Sequence, residues 1–102
     1  MSRRGKSATG VQFKRGEIEE LLATGKTAAA RTEASRWRRA QPRNPAAYLL
    51  LAKAHFQLGE LIETKRVLEE LLEFSPDSEF AAKPYLARIK QSLEKSRPRA
   101  VE

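Results

Sequence analysis

Gly25 recurs as Gly59 and Pro42 recurs as Pro76, both at a spacing of 34 residues. No other feature constrains the chain as much. Each copy runs in the same order: a helical run, a tight turn at the glycine, a second helical run, and a proline that cannot continue it. Units of this length and order are helix-turn-helix repeats, which bury their apolar side only by stacking on a neighbour. The spacing therefore predicts an all-α chain: a helical-hairpin solenoid of about two repeats, closed by a C-terminal capping helix.

The second copy, residues 45–78, reads PAAYLLLAKAHFQLGELIETKRVLEELLEFSPDS. Tyr48 opens it with an aromatic, Leu51 and the small Ala52 follow, His55 stands where a tyrosine is usual, Gly59 closes the first helix, Leu68 is the later large apolar residue and Pro76 ends the unit. In these places the chain resembles the tetratricopeptide repeat family. Thr64 and Leu71 depart from the pattern, replacing alanines that let the two helices approach closely, so wider packing is expected there.

The first copy, residues 11–44, is degenerate. Lys14, Glu17 and Ile18 stand where aromatic, leucine and small residue belong, and Gly16 is expected to interrupt the helix. Its second half fits better, with Ala30 and Ala34 on one face. Trp37 takes another alanine place, where it either plugs the gap left by a poor first helix or faces outward to a partner; the plug is the reading favoured.

After Pro76 a capping helix over 78–96 is expected, with Ser78 as the cap and Phe80, Leu86, Ile89 and Leu93 as its apolar places. Laying Leu86 and Ala87 over Leu51 and Ala52 requires a shift of 35, hence one inserted residue near Glu79. Pro84 would cost a hydrogen bond in a helix begun at Ser78, and a start nearer Ala82 would avoid that. The division expected is a basic tail 1–10, a domain 11–96 and a tail 97–102.

A chain of 102 residues makes one domain with a modest core. Its longest apolar run, Ala46 to Ala52, is far too short to span a bilayer. The start MSRRGKSATG is basic without an apolar stretch behind it, so it does not read as a secretory signal. With no cysteine, disulfides and thiolate chemistry are excluded, in keeping with a cytoplasmic location.

The net charge of +7 is placed unevenly. Residues 1–43 hold eleven Lys and Arg against four acids, whereas residues 44–102 hold nine of each, so the whole excess is N-terminal. Arg36, Trp37, Arg38 and Arg39 form a cluster, with Arg31 earlier on the same helix and Arg43 just beyond it. Arginines flanking an indole suit phosphates, carboxylates or stacked bases. A solubilising surface is the competing explanation. No nucleic-acid-binding motif accompanies the cluster.

Enzyme chemistry finds little support. His55 is the only histidine, lies where a side chain packs between helices, and has no nucleophile or orienting carboxylate at a recognisable spacing. One histidine and no cysteine make no metal site, and no cofactor is expected. Neither glycine-rich stretch is a phosphate loop: GVQFKRG lacks the Gly-Lys-Ser ending, and the GKT at 25–27 has Glu20 where the earlier glycine belongs.

The family resemblance implies that first helices line a concave groove. It places Leu49, Lys53 and Phe56 on that groove with Gln57 at the edge, continued by Arg15 and Glu19 from the first repeat and by Arg88 and Gln91 from the cap. Glu19 and Leu50 stand where some members carry asparagines that clamp a terminal carboxylate, so this chain departs from that mode. Leu49 and Phe56 with Lys53 between them suit a helix or extended segment bearing apolar anchors and an acid. The function expected is a non-catalytic adaptor or assembly subunit that binds a protein partner, with self-association or membership of a larger complex left open. The alternative is a small basic subunit contacting RNA, DNA or another polyanion through residues 1–43.

Overall fold

The computed structural model describes residues 15–96, and every regular element among them is helical. The expected tails at 1–10 and 97–102, and Lys14 with them, lie outside the described residues. In chain order the elements are α1 over 15–23, α2 Thr27–Ala40, α3 Pro45–Gln57, α4 Leu61–Phe74, a short 3₁₀ turn Pro76–Ser78, and α5 Glu79–Ser96. α1 turns into α2 at Gly25 as one hairpin, α3 and α4 form a second, and α5 packs against α3 and α4.

The two hairpin turns are the same motif 34 residues apart. Gly25 has φ of 83° and Gly59 has φ of 79°, the left-handed conformation that glycine adopts without a Cβ penalty. At the first turn the Lys26 N–H donates to Leu21 O at 2.8 Å, and Gly25 N–H to Leu22 O at 3.3 Å. At the second, Glu60 N–H donates to His55 O at 2.9 Å and Gly59 N–H to Phe56 O at 3.0 Å. This double closure satisfies carbonyls that a helix end otherwise leaves unpaired.

Between the hairpins, α2 ends as Gln41 N–H donates to Trp37 O at 2.8 Å, and α3 begins with Asn44 as its cap, the side chain accepting from Ala46 N–H at 3.0 Å, and Pro45 in the first turn. A proline there sacrifices an N–H that has no helical partner anyway. The Tyr48 hydroxyl reaches back to Pro42 O at 2.8 Å, and its ring meets Phe74 edge-on with centroids 4.9 Å apart.

The core is laid down by small and branched residues on facing helices. Ile18 of α1, Ala30, Ala34 and Trp37 of α2, Leu51 and Ala54 of α3, Leu68 and Leu71 of α4 and Ile89 of α5 are all buried. Trp37 is 3% exposed, so the indole fills the interior and does not face a partner. Its Nε1–H donates to Gln41 Oε1 at 3.0 Å, which meets the need of a buried indole N–H for an acceptor. Thr64 is fully buried with Leu71, and its hydroxyl donates to Glu60 O at 2.8 Å, so the polar atom is satisfied by its own helix.

Four local expectations are corrected. Gly16 does not interrupt α1, which is helical through it; the position is exposed and open, so the glycine costs helix propensity without breaking the ladder. α5 begins at Glu79 rather than near Ala82, and Pro84 lies inside it. Pro84 has no N–H to donate to the Phe80 carbonyl one turn earlier, and both residues are exposed. Phe80 is 89% exposed: six residues before Leu86, it falls on the far side of the helix. Ser78 sits in the 3₁₀ turn with its Oγ 2.9 Å from Ser75 Oγ. The shift of 35 is visible in packing, because Ala82 and Ile89 are buried as Ala47 and Ala54 are. The extra residue thus falls between Pro76 and Ala82.

Candidate functional site

The first helix of each hairpin and the capping helix share one surface. Helical spacing puts Lys53, Phe56 and Gln57 on one side of α3, away from Leu51 and Ala54. On that side a cavity of about 540 Å³ opens, lined by Glu19, Leu22 and Ala23 of α1, Lys53, Phe56 and Gln57 of α3, and Tyr85 and Arg88 of α5.

Its floor is aromatic. Phe56 and Tyr85 are both half-buried and meet edge-on, with centroids 5.4 Å apart and planes at 78°. Its rim is charged. Glu19 accepts from Arg15 Nε at 3.3 Å, whereas Lys53 and Arg88 are exposed and make no ion pair among the described residues. Gln57 is anchored at the edge, its Oε1 accepting from the Thr27 hydroxyl at 3.2 Å. The surface thus offers two aromatic faces, two uncompensated cations and one anchored amide.

Of the eight residues expected on the groove, Glu19, Lys53, Phe56, Gln57 and Arg88 line this cavity. Three do not. Arg15 holds Glu19 from one turn away, Leu49 is half-buried against the core, and Gln91 is exposed on α5 beyond Arg88. Sequence reasoning missed Leu22, Ala23 and Tyr85. Leu22 and Ala23 were findable, since they precede Phe56 and Gln57 by one period of 34. Tyr85 owes its place to the inserted residue ahead of α5.

The arginines separate into different environments. Arg38 donates to Glu70 Oε1 at 3.0 Å and lies 5.6 Å from the centre of the Tyr48 ring, so it is committed to joining α2 to α4. Arg31 pairs with Glu60, and Arg36 lies 3.4 Å from Glu33. Arg39 and Arg43 are exposed and make no ion pair among the described residues. Burial of Trp37 leaves no indole face beside them.

His55 Nδ1 lies 2.7 Å from Glu60 Oε1, and the Glu60 carboxyl is held below the ordinary carboxylate range by that hydrogen bond first and by the Arg31 contact second. The three side chains brace the second hairpin turn against α2. Among the described residues no group of three or more His, Cys, Asp or Glu is placed to hold a metal ion, and no helix is long and apolar enough to cross a membrane.

Stacked helical hairpins with a groove along their first helices define a class of repeat protein built for contact. A tetratricopeptide repeat family model matches residues 21–89, more than half of the chain, and the chain belongs to that family. Comparison with curated proteins and with solved structures gives no match. Members of the family generally mediate protein–protein interaction and are typically non-catalytic.

Proposed function

We propose that this chain is a non-catalytic adaptor or assembly subunit that holds a segment of a partner protein in the concave groove. The observation that supports this reading is the convergence of Glu19, Lys53, Phe56, Gln57 and Arg88, from three separate helices, on one cavity of about 540 Å³. The Phe56–Tyr85 floor suits an apolar anchor. Lys53 and Arg88, with no acid of their own, suit an acidic side chain beside that anchor. A helix or extended segment carrying both is the partner chemistry that fits.

Affinity capture with the intact chain, with Phe56→Ala and with Lys53→Glu tests the proposal. A partner retained by the intact chain should be lost with either variant, and its binding region should contain an apolar residue next to an acid. Equal retention by all three would place the interaction elsewhere on the molecule.

A further inference from the structure

A second, smaller cavity of about 290 Å³ opens on the opposite side of α3 from the groove. Thr32, Ser35, Arg36 and Arg39 line it at spacings of three, four and seven residues, one face of α2, with Arg31 beside them. Leu51 and His55 of α3 complete it. We propose that this cavity is a binding site for a phosphorylated serine or threonine in a protein segment with basic flanks.

The donor set supports a phosphate group. A phosphorylated side chain carries about −1.5 to −2 charge and three strong acceptor oxygens. Guanidinium groups match it with paired donors, and the Ser35 hydroxyl can add a further one, whereas the Thr32 hydroxyl donates to Ala28 O at 3.2 Å. Arg39 has no ion-pair partner among the described residues, and Arg36 is held only by the surface contact with Glu33 at 3.4 Å, which is weak enough to exchange. Arg31 is steadied by Glu60, which His55 shares. Leu51, 2% exposed, gives the cavity an apolar base that strengthens charge-assisted hydrogen bonds made above it.

The same surroundings disfavour a nucleic acid. Strands are held on aromatic platforms and along a continuous track of cations, but no Phe, Tyr or Trp lines this cavity. Its one ring, the His55 imidazole, is held by Glu60, and Trp37 next to the cavity is buried. Glu60 and Glu70 are already neutralised by Arg31 and Arg38, but Glu63 and Glu73, on the same face of α4 as Glu70, are exposed and make no ion pair among the described residues, which leaves an acidic edge beside α2. A polyanion laid along α2 meets that acidic edge. One phosphate flanked by lysine or arginine satisfies both the cavity and its border.

Fluorescence polarisation with the intact chain tests this. The probes are a labelled peptide with a central phosphoserine and lysine flanks, its unphosphorylated twin, the phosphopeptide with glutamate flanks, and a short single-stranded RNA. The lysine-flanked phosphopeptide should bind at least about tenfold more tightly than its twin and than the glutamate-flanked peptide. Arg39→Gln and Arg36→Gln, both on exposed side chains, should each remove most of that difference. Arg43→Gln, an equal loss of charge outside the cavity, should preserve it. Phe56→Ala should leave phosphopeptide binding unchanged, which separates this site from the groove. Equal binding of the twin, RNA binding as tight as the phosphopeptide, or an Arg43→Gln loss matching that of Arg39→Gln would each overturn the proposal.

Discussion

Phe56 of α3 and Tyr85 of α5 meet edge-on at 5.4 Å, so one ring pair both floors the groove and joins the capping helix to the second hairpin. Phe56→Ala should therefore loosen α5 as well as weaken partner binding. Aromatic pairs contribute about 0.5–1.5 kcal/mol beyond their buried area, and loss of an apolar anchor costs roughly 1–3 kcal/mol of binding. Hydrogen exchange read helix by helix checks the first effect: amides of α5 should exchange faster in the variant, while those of α2 keep their rates.

Gly59→Val should destabilise the domain by about 1–2 kcal/mol, the cost of holding a branched residue in the left-handed region. A Cβ at Gly59 meets nothing within 4 Å, so the penalty comes from the backbone alone and not from a clash. Gly59→Asn should then cost distinctly less. Denaturant melts of the two variants decide this, and equal losses would contradict a purely conformational cause.

Trp37→Ala should cost about 3–5 kcal/mol, the range for truncating a buried tryptophan, and Trp37→Phe should cost less. Even the milder variant removes the indole N–H that Gln41 accepts. Intrinsic fluorescence offers an independent measurement on the unaltered chain: emission of its single tryptophan should be blue-shifted and shielded from iodide. Free quenching by iodide would contradict the burial.

Glu60 gives the fold a pH dependence of definite sign. Its folded-state carboxyl titrates below the ordinary range because His55 and then Arg31 favour the charged form. A lowered carboxylate value stabilises the fold fully above the ordinary value, and the contribution is lost as pH falls through the lowered one. The gap in melting temperature between the intact chain and Glu60→Gln should be open at neutral pH and close on acidification. A gap that widened in acid would reverse the assignment.

Much of the architecture was legible because the period of 34 is enforced by backbone chemistry. Only glycine sits comfortably at the two positive-φ turns, and proline punctuates each second helix, so four residues mark the register. Trp37 could be assigned as a plug from its place in the repeat. Gly16 and Pro84 misled for a common reason: both carry a penalty in isolation, but the hydrogen-bond ladder of the rest of the helix carries the conformation through them. Phe80 misled because it was grouped with Leu86, Ile89 and Leu93 at helical spacing, whereas six residues from Leu86 it falls well off their face. For the groove, periodicity brought five residues together, but Tyr85 depended on an insertion whose packing consequence cannot be read from residue types. The splitting of the arginines among Glu33, Glu60 and Glu70 is a tertiary fact, since two of those acids are about thirty residues away in the chain.

Gln41 accepts from Trp37 Nε1–H at 3.0 Å and from Asn44 Nδ2–H at 2.7 Å through the same oxygen. A single amide therefore acts as a latch between the two hairpins. The Trp37 bond lies within α2 and its end and fixes the amide in place, so swinging one hairpin against the other would break the Asn44 contact. The junction between the two hairpins is braced at this loop. A wider groove therefore costs this contact, at a residue that lies outside the cavity lining.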